Sequence, residues 1–290
     1  MEMKATSTAF KGSRELNLVA DVCGDEDAWP ILFLHGVGQT RHAWGRAAQQ
    51  LANEGWRTIT VDLRGHGDSD WAQDGDYSAD AYRDDCIAVI EQLGGRPVLV
   101  GASLGGITAM LAEGRDDDNH SSGLVLVDIA PKSNPKGAKR IQTFMRSGMD
   151  GFSSLEDAAA AIAAFTPQRV RSTNLEGLKK VLRERDGHWY WHWDPLILHG
   201  ENRDKFISRL HELTDEAMNH VSVPTLLVHG RLSDVVTQEG IDTLLSRLPN
   251  VTLVEVDGAA HMIAGDKNDS FSDAVTNFLR DQIAPTLLRR

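Results

Sequence analysis

Six short runs of Val, Ile and Leu, apolar along their whole length, constrain this chain more than any other feature. They are "ILFLH" (31–35), "RTITVD" (57–62), "VLVGA" (98–102), "GLVLVD" (123–128), "TLLVHG" (225–230) and "VTLVEVD" (251–257). A strand with one wet face alternates apolar and polar residues, whereas a strand apolar throughout has both faces covered, as parallel strands between helical layers do. Helical periodicity fills the intervals near 41–54, 78–93, 104–114, 238–248 and 268–281. Strand alternating with helix implies right-handed crossovers and a mostly parallel, doubly wound α/β sheet. Residues 7–22 are expected to add an antiparallel hairpin at one edge.

The alternation stops after Asp128 and resumes near 222. In between, "SSLEDAAAAIAAF" (153–165) opens with Ser153 and Glu156 at capping-box spacing, and "NLEGLKKVLRERD" (174–186) and "RDKFISRLHELTDEAM" (203–218) read as further helices. The expected organisation is a core over 1–130, an inserted helical cap over 131–221, and the rest of the core over 222–290.

Composition narrows the functional classes. Thirty basic against 42 acidic residues leave a formal net charge of −12, a field that disfavours nucleic acid and anionic membrane surfaces. No apolar run has the length of a membrane span, and the first residues lack the apolar stretch of a secretory signal, so a cytoplasmic address is expected. Cys23 and Cys86 have no Cys or His partner at ligand spacing, so they are expected to be buried thiols, with no metal site.

The chemistry centres on "VLVGASLGG" (98–106). A Gly-x-Ser-x-Gly match arises by chance in a chain this long with a probability of about 0.1 at ordinary Gly and Ser usage, so its setting decides. Here it follows a strand pattern and opens a helical one, the setting of a tight elbow that lifts Ser103 above the sheet. A serine hydroxyl needs a base, and His261, just beyond the last strand in "VEVDGAAHM", is the expected one, with His66 in "LRGHGDSD" second. The imidazole in turn needs an anion; Asp234, in the loop after "TLLVHG", is expected to supply it, with Asp128 at the end of the preceding strand as its rival. Two backbone N–H groups should meet the developing oxyanion: that of Leu104, after the nucleophile, and that of Val37 in "HGVGQTRHAW". Neither Gly-x-Gly-x-x-Gly nor a Walker lysine is present, and no cofactor is expected.

Taken in order, "HGVGQ", "DLRGHGDSD", "GASLGG", "GRLSDVV" and "GAAHM" resemble the α/β-hydrolase superfamily. The resemblance implies that fold with a helical cap, a triad of Ser103, Asp234 and His261, and an oxyanion hole of Val37 and Leu104. A serine at the elbow, where epoxide hydrolases and haloalkane dehalogenases carry aspartate, sets those branches aside. "HWYWHWDP" (188–195), "HMIAGD" (261–266) and "HGVGQTRHAWG" with "DLRGHGDSDW" resemble hydrolases of monoalkyl phthalate esters. The expected activity is therefore carboxylic-ester hydrolysis on a small-molecule substrate by a monomer or homodimer; a cofactor-independent perhydrolase, a carbon–carbon bond hydrolase and a non-catalytic ligand receptor stay open. Trp189, Trp191 and Trp193 offer apolar area for a ring or branched alkyl chain, and Arg41 with His42 would meet a substrate carboxylate, because burying an unpaired anion is costly.

Overall fold

The computed structural model describes residues 4–166, 175–261 and 268–287, and at 200–208 and 268 the backbone alone. Eight strands form one sheet: β1 (Thr6–Lys11), β2 (Asn17–Cys23), β3 (Pro30–Leu34), β4 (Arg57–Val61), β5 (Val98–Ala102), β6 (Gly123–Val127), and two that follow the cap, here β9 (Thr225–Gly230) and β10 (Val251–Val256). Their spatial order is β1-β2-β4-β3-β5-β6-β9-β10. The six strands from β4 to β10 pair in parallel, and β1 and β2 pair antiparallel at the edge, as the N-terminal pattern predicts.

The period of two divides the apolar runs between two cores. Ile31, Phe33, Val98, Val100, Val125 and Val127 face the layer of α1 (Gly45–Asn53), which packs with Phe271 and Val275 of the C-terminal helix Asn268–Phe278. Leu32, Leu34, Leu99, Leu124 and Leu126 face α2 (Ala79–Leu93) and α3 (Leu104–Glu113). Each buried Val or Leu contributes roughly 1.5–3 kcal/mol, so the central sheet carries much of the stability. α3 is apolar nearly all round because it lies between the sheet, α2 and the long cap helix α6 (Gly200–His220). At its end the backbone of α6 comes so close that a Cβ on Gly114 would sit 2.4 Å from the Ala217 carbonyl oxygen.

Between β6 and β9 lie α4 (Pro135–Arg146), α5 (Leu155–Phe165), a short hairpin and α6. Asn134 caps α4, with Pro135 in its first turn. The cap of α5 is Ser154, which accepts from the Asp157 N–H, one residue along from the expected Ser153 and Glu156 pair. The helix expected over 174–186 is replaced by a 3₁₀ turn, Leu175–Lys180, and strand β7 (Leu182–Arg185), paired antiparallel with β8 (His188–Trp191). The reason is the turn: Asp186 and Gly187 both have positive φ, 52° and 76°, the backbone of a two-residue hairpin that Asp-Gly favours.

The hairpin side of the cap is fastened to the "DLRGHG" loop. The Gly67 N–H donates to the His192 carbonyl (2.8 Å), the Asp194 N–H donates to the Gly65 carbonyl (2.7 Å), and the Tyr77 hydroxyl donates to Asp194. Among the described residues no helix is long and apolar enough to cross a membrane. Both cysteines are buried, and neither forms a disulfide.

Candidate active site

Ser103 occupies a backbone conformation, φ 50° and ψ −117°, that ordinary L-residues avoid. The surrounding glycines make it possible by close approach. A Cβ on Gly105 would lie 2.1 Å from the Leu34 carbonyl oxygen, and one on Gly101 would lie 2.2 Å from that of Gly105. The elbow is tied down by the Ser103 N–H, which donates to the Val127 carbonyl (3.2 Å), and by the Ser103 carbonyl, which accepts from Ile107 (2.9 Å). The serine thus stands at the C-terminal edge of β5 and at the positive end of α3.

His261 and Ser103 both line a cavity with two lobes, of about 400 Å³ and about 360 Å³, that meet at these side chains. No hydrogen bond joins the two among the described residues, a looseness usual where substrate tightens the contact. The imidazole Nδ1 lies 2.7 Å from Asp128 Oδ2. That partner corrects the expectation from sequence. Asp234, the expected acid, is engaged in a two-point ion pair with Arg140 of α4, at 2.7 and 2.8 Å. Asp128, the rival, turns inward with φ 50° and is buried.

Asp128 is surrounded by donors. Its carboxylate lies against His229 Nδ1 (2.9 Å), and it accepts from the Gly230 N–H (3.2 Å) and the Ser233 hydroxyl. Burial works to raise its pKa, but the hydrogen bonds from His229 and His261 outweigh this and hold the carboxyl below the usual carboxylate range. It is therefore an anion aimed at Nδ1, which leaves Nε2 clear of that contact. The sequence marks His229 only as a strand-end histidine suited to local hydrogen bonding, and marks Ser233 by nothing beyond its place in the loop after β9.

The loop after β3 brings the Val37 N–H to the same place. Neither this N–H nor that of Leu104 has an acceptor among the described residues. Two buried histidines brace the loop: His35 Nδ1 donates to the Gly36 carbonyl (2.8 Å) while Nε2 accepts from Leu63 (3.0 Å), and His66 Nε2 accepts from Gly38 (3.1 Å). Desolvation by burial lowers their pKa values to about 4 and about 3, so both are neutral supports. His66 is thus placed beneath the loop and not as a base.

The expected substrate contacts divide. Arg41 does not reach the cavity: it is buried, paired with Asp62, with Asp68 (2.9 Å) and with Asp21 (3.1 Å). An arginine so enclosed holds the loop, with its charge matched by three aspartates. His42, Trp191 and Trp193 do line the 360 Å³ lobe, whereas Trp189 pairs its backbone with Phe152 and lies outside both lobes. Met262–Asp266 of "HMIAGD" lie outside the described residues. Among the described residues no cluster of His, Cys, Asp and Glu could hold a metal ion.

Comparison with known proteins agrees with this architecture. The chain is similar to esterase Rv0045c of Mycobacterium tuberculosis, 29% identical over 86% of this chain and 82% of that one. It is also similar to the sn-1-specific diacylglycerol lipase ABHD11 of Mus musculus, 30% identical over 88% of this chain and 82% of that one. The crystal structure of E-2-(acetamidomethylene)succinate hydrolase superposes with a TM-score of 0.84, at 23% identity, over 96% of this chain and all (100%) of that one. The family model for serine aminopeptidase S33 (Hydrolase_4) matches residues 25–268. With that match spanning most of its length, the chain belongs to the serine aminopeptidase S33 family and is a serine hydrolase of the α/β-hydrolase fold.

Proposed function

We propose that Ser103, His261 and Asp128 act as nucleophile, base and acid in the hydrolysis of carboxylic esters through an acyl-enzyme. The observation that carries this reading is the 2.7 Å contact between His261 and the buried Asp128 at the cavity that Ser103 lines. Ser103 attacks the ester carbonyl while His261 takes its proton; the Val37 and Leu104 N–H groups receive the oxyanion; His261 then protonates the departing alkoxide. Water repeats the sequence on the acyl-enzyme. Asp128 keeps Nδ1 protonated and stabilises the imidazolium without itself taking the proton.

The substrate class we assign is monoesters of aromatic carboxylic acids, monoalkyl phthalates among them. Two features support it. One lobe is rich in aromatic rings, lined by Phe144, Phe165, Trp191 and Trp193, and the other is mostly aliphatic, lined by Ile107, Ile129, Leu198 and Leu210 with Tyr77 and Tyr82. A ring and a branched alkyl chain on opposite sides of one ester carbonyl match that division. The resemblance of "HGVGQTRHAWG" and "DLRGHGDSDW" to hydrolases of these esters points the same way.

The test is a panel of monoalkyl phthalates, dialkyl phthalates and aliphatic esters, run with the protein and with Ser103→Ala. We expect highest kcat/KM on the monoalkyl phthalates, loss of all turnover and of fluorophosphonate labelling in Ser103→Ala, and an unchanged far-UV spectrum. Turnover retained by Ser103→Ala would reject the mechanism, and a preference for aliphatic esters would reject the substrate class.

A further inference from the structure

The cavity is asymmetric in charge as well as in shape. The aliphatic lobe contains the buried Asp128 carboxylate, which would repel an anion. The aromatic lobe has no Asp or Glu among its described lining residues, and Lys180 is the one lysine or arginine among them. A substrate with a free carboxylate therefore has one favourable orientation, with its anionic end in the aromatic lobe.

The cations around this lobe are otherwise engaged. Arg41 is paired with three aspartates, Arg140 with Asp234, and Arg183 with Asp68. Lys179, the neighbour of Lys180 in the chain, pairs with Glu176 at 2.8 Å. Lys180 itself has no carboxylate partner among the described residues, in a chain of net charge −12. Among the described residues Lys132, Lys136 and Lys139 also have no carboxylate partner, but they do not line the cavity, so Lys180 is the cation placed to act on an anion bound there. Its backbone is also held in register with the site: the buried Thr40 hydroxyl, on the loop that carries Val37, donates to the Lys180 carbonyl (3.0 Å). The backbone of Lys180 is thus fixed against the loop that carries Val37, and its exposed side chain starts from the wall of the lobe. His42 lines the same lobe; burial and the charge of Arg41 lower its pKa, so it adds a neutral hydrogen-bonding group and no competing anion.

We infer that Lys180 is the specificity-determining residue for a carboxylate on the acyl side of the substrate, the role sequence position suggested for Arg41. The inference rests on the ester-hydrolase reading above. It also sets polarity: the aromatic acid occupies the lobe with Lys180, and the alkyl alcohol leaves through the aliphatic lobe.

The experiment compares monobutyl phthalate with butyl benzoate, which share ring and alcohol and differ in one carboxylate. For the protein as it stands, kcat/KM favours the phthalate, and the preference shrinks as ionic strength rises. Lys180→Met reduces that preference about tenfold, mainly through KM, and removes its salt dependence, whereas Lys180→Arg retains both. A preference unchanged in Lys180→Met, lost equally in Lys180→Arg, or absent from the unaltered protein overturns the inference. Calorimetric titration of phthalate into Ser103→Ala, with and without Lys180→Met, reads the cation without turnover. Binding weakened about tenfold by Lys180→Met supports the assignment even if no ester is cleaved, an outcome that would sink the ester-hydrolase reading alone; equal binding to both proteins overturns the assignment.

Discussion

Two aspartates end neighbouring strands of the same sheet and have opposite surroundings. Asp128, after β6, is fully buried, surrounded by two imidazoles, a backbone N–H and a hydroxyl, and aimed at His261. Asp234, after β9, is 44% exposed and gripped by one arginine from the cap. Both carboxyls are held below their usual pKa range, Asp128 against the cost of burial by histidine donors and Asp234 by the Arg140 hydrogen bond. A lowered pKa therefore does not distinguish a relay acid from a strut. Direction does: one carboxylate points under the imidazole, the other out to the cap.

The largest test of this contrast is Asp128→Asn. Under the proposed mechanism it favours the wrong imidazole tautomer, and kcat should fall about 10⁴-fold with KM little changed. A fall of this size in Asp234→Asn, with Asp128→Asn active, would reverse the assignment.

Acid separates the two next. His35 and His66 are neutral in the folded chain, with pKa values of about 4 and about 3, against 6.5 when unfolded. The unfolded state binds the extra protons, so their stabilising contribution is complete above pH 6.5 and is lost as pH falls towards 4. Tm should drop across that window, before either aspartate titrates, and with the same slope in Asp234→Asn as in the unaltered chain. A shallower slope in the variant would mean that Asp234 contributes to the acid response.

The smallest effect expected is that of Asp234→Asn on stability. Its pair with Arg140 is two-fifths exposed on both sides, so its loss should cost about 1 kcal/mol or less, visible in urea denaturation as a small shift of midpoint. A cost of several kcal/mol would show that the cap depends on this strut.

Much of this was legible before any coordinates. Ser103 is recognisable because an elbow needs a strand before it, a helix after it and glycines where backbones touch, and each requirement leaves a mark on local sequence. The cap hairpin leaves a local mark too: Asp186-Gly187 before "HWYW" is a hairpin-turn signal, and it overrides the helical pattern of 174–186. Arg41 misled for another reason. Its position beside the loop after β3 is a fact of sequence, but its side chain runs to Asp62, 21 residues on, and a backbone neighbour of a site need not face it.

By itself, then, the order of apolar runs, glycines and helical intervals determined the doubly wound sheet, the elbow at Ser103 and the place of His261, because each depends on contacts along the chain or on the two-residue period of a strand. Which acid meets that histidine, and which cation faces the cavity, was decided only in three dimensions. Asp128 and Asp234 send the same local signal, and the choice between them was made by residues far away in sequence: His261, 133 positions from Asp128, and Arg140, 94 positions from Asp234. Charge pairing is a property of distance in space, and a linear chain does not record it.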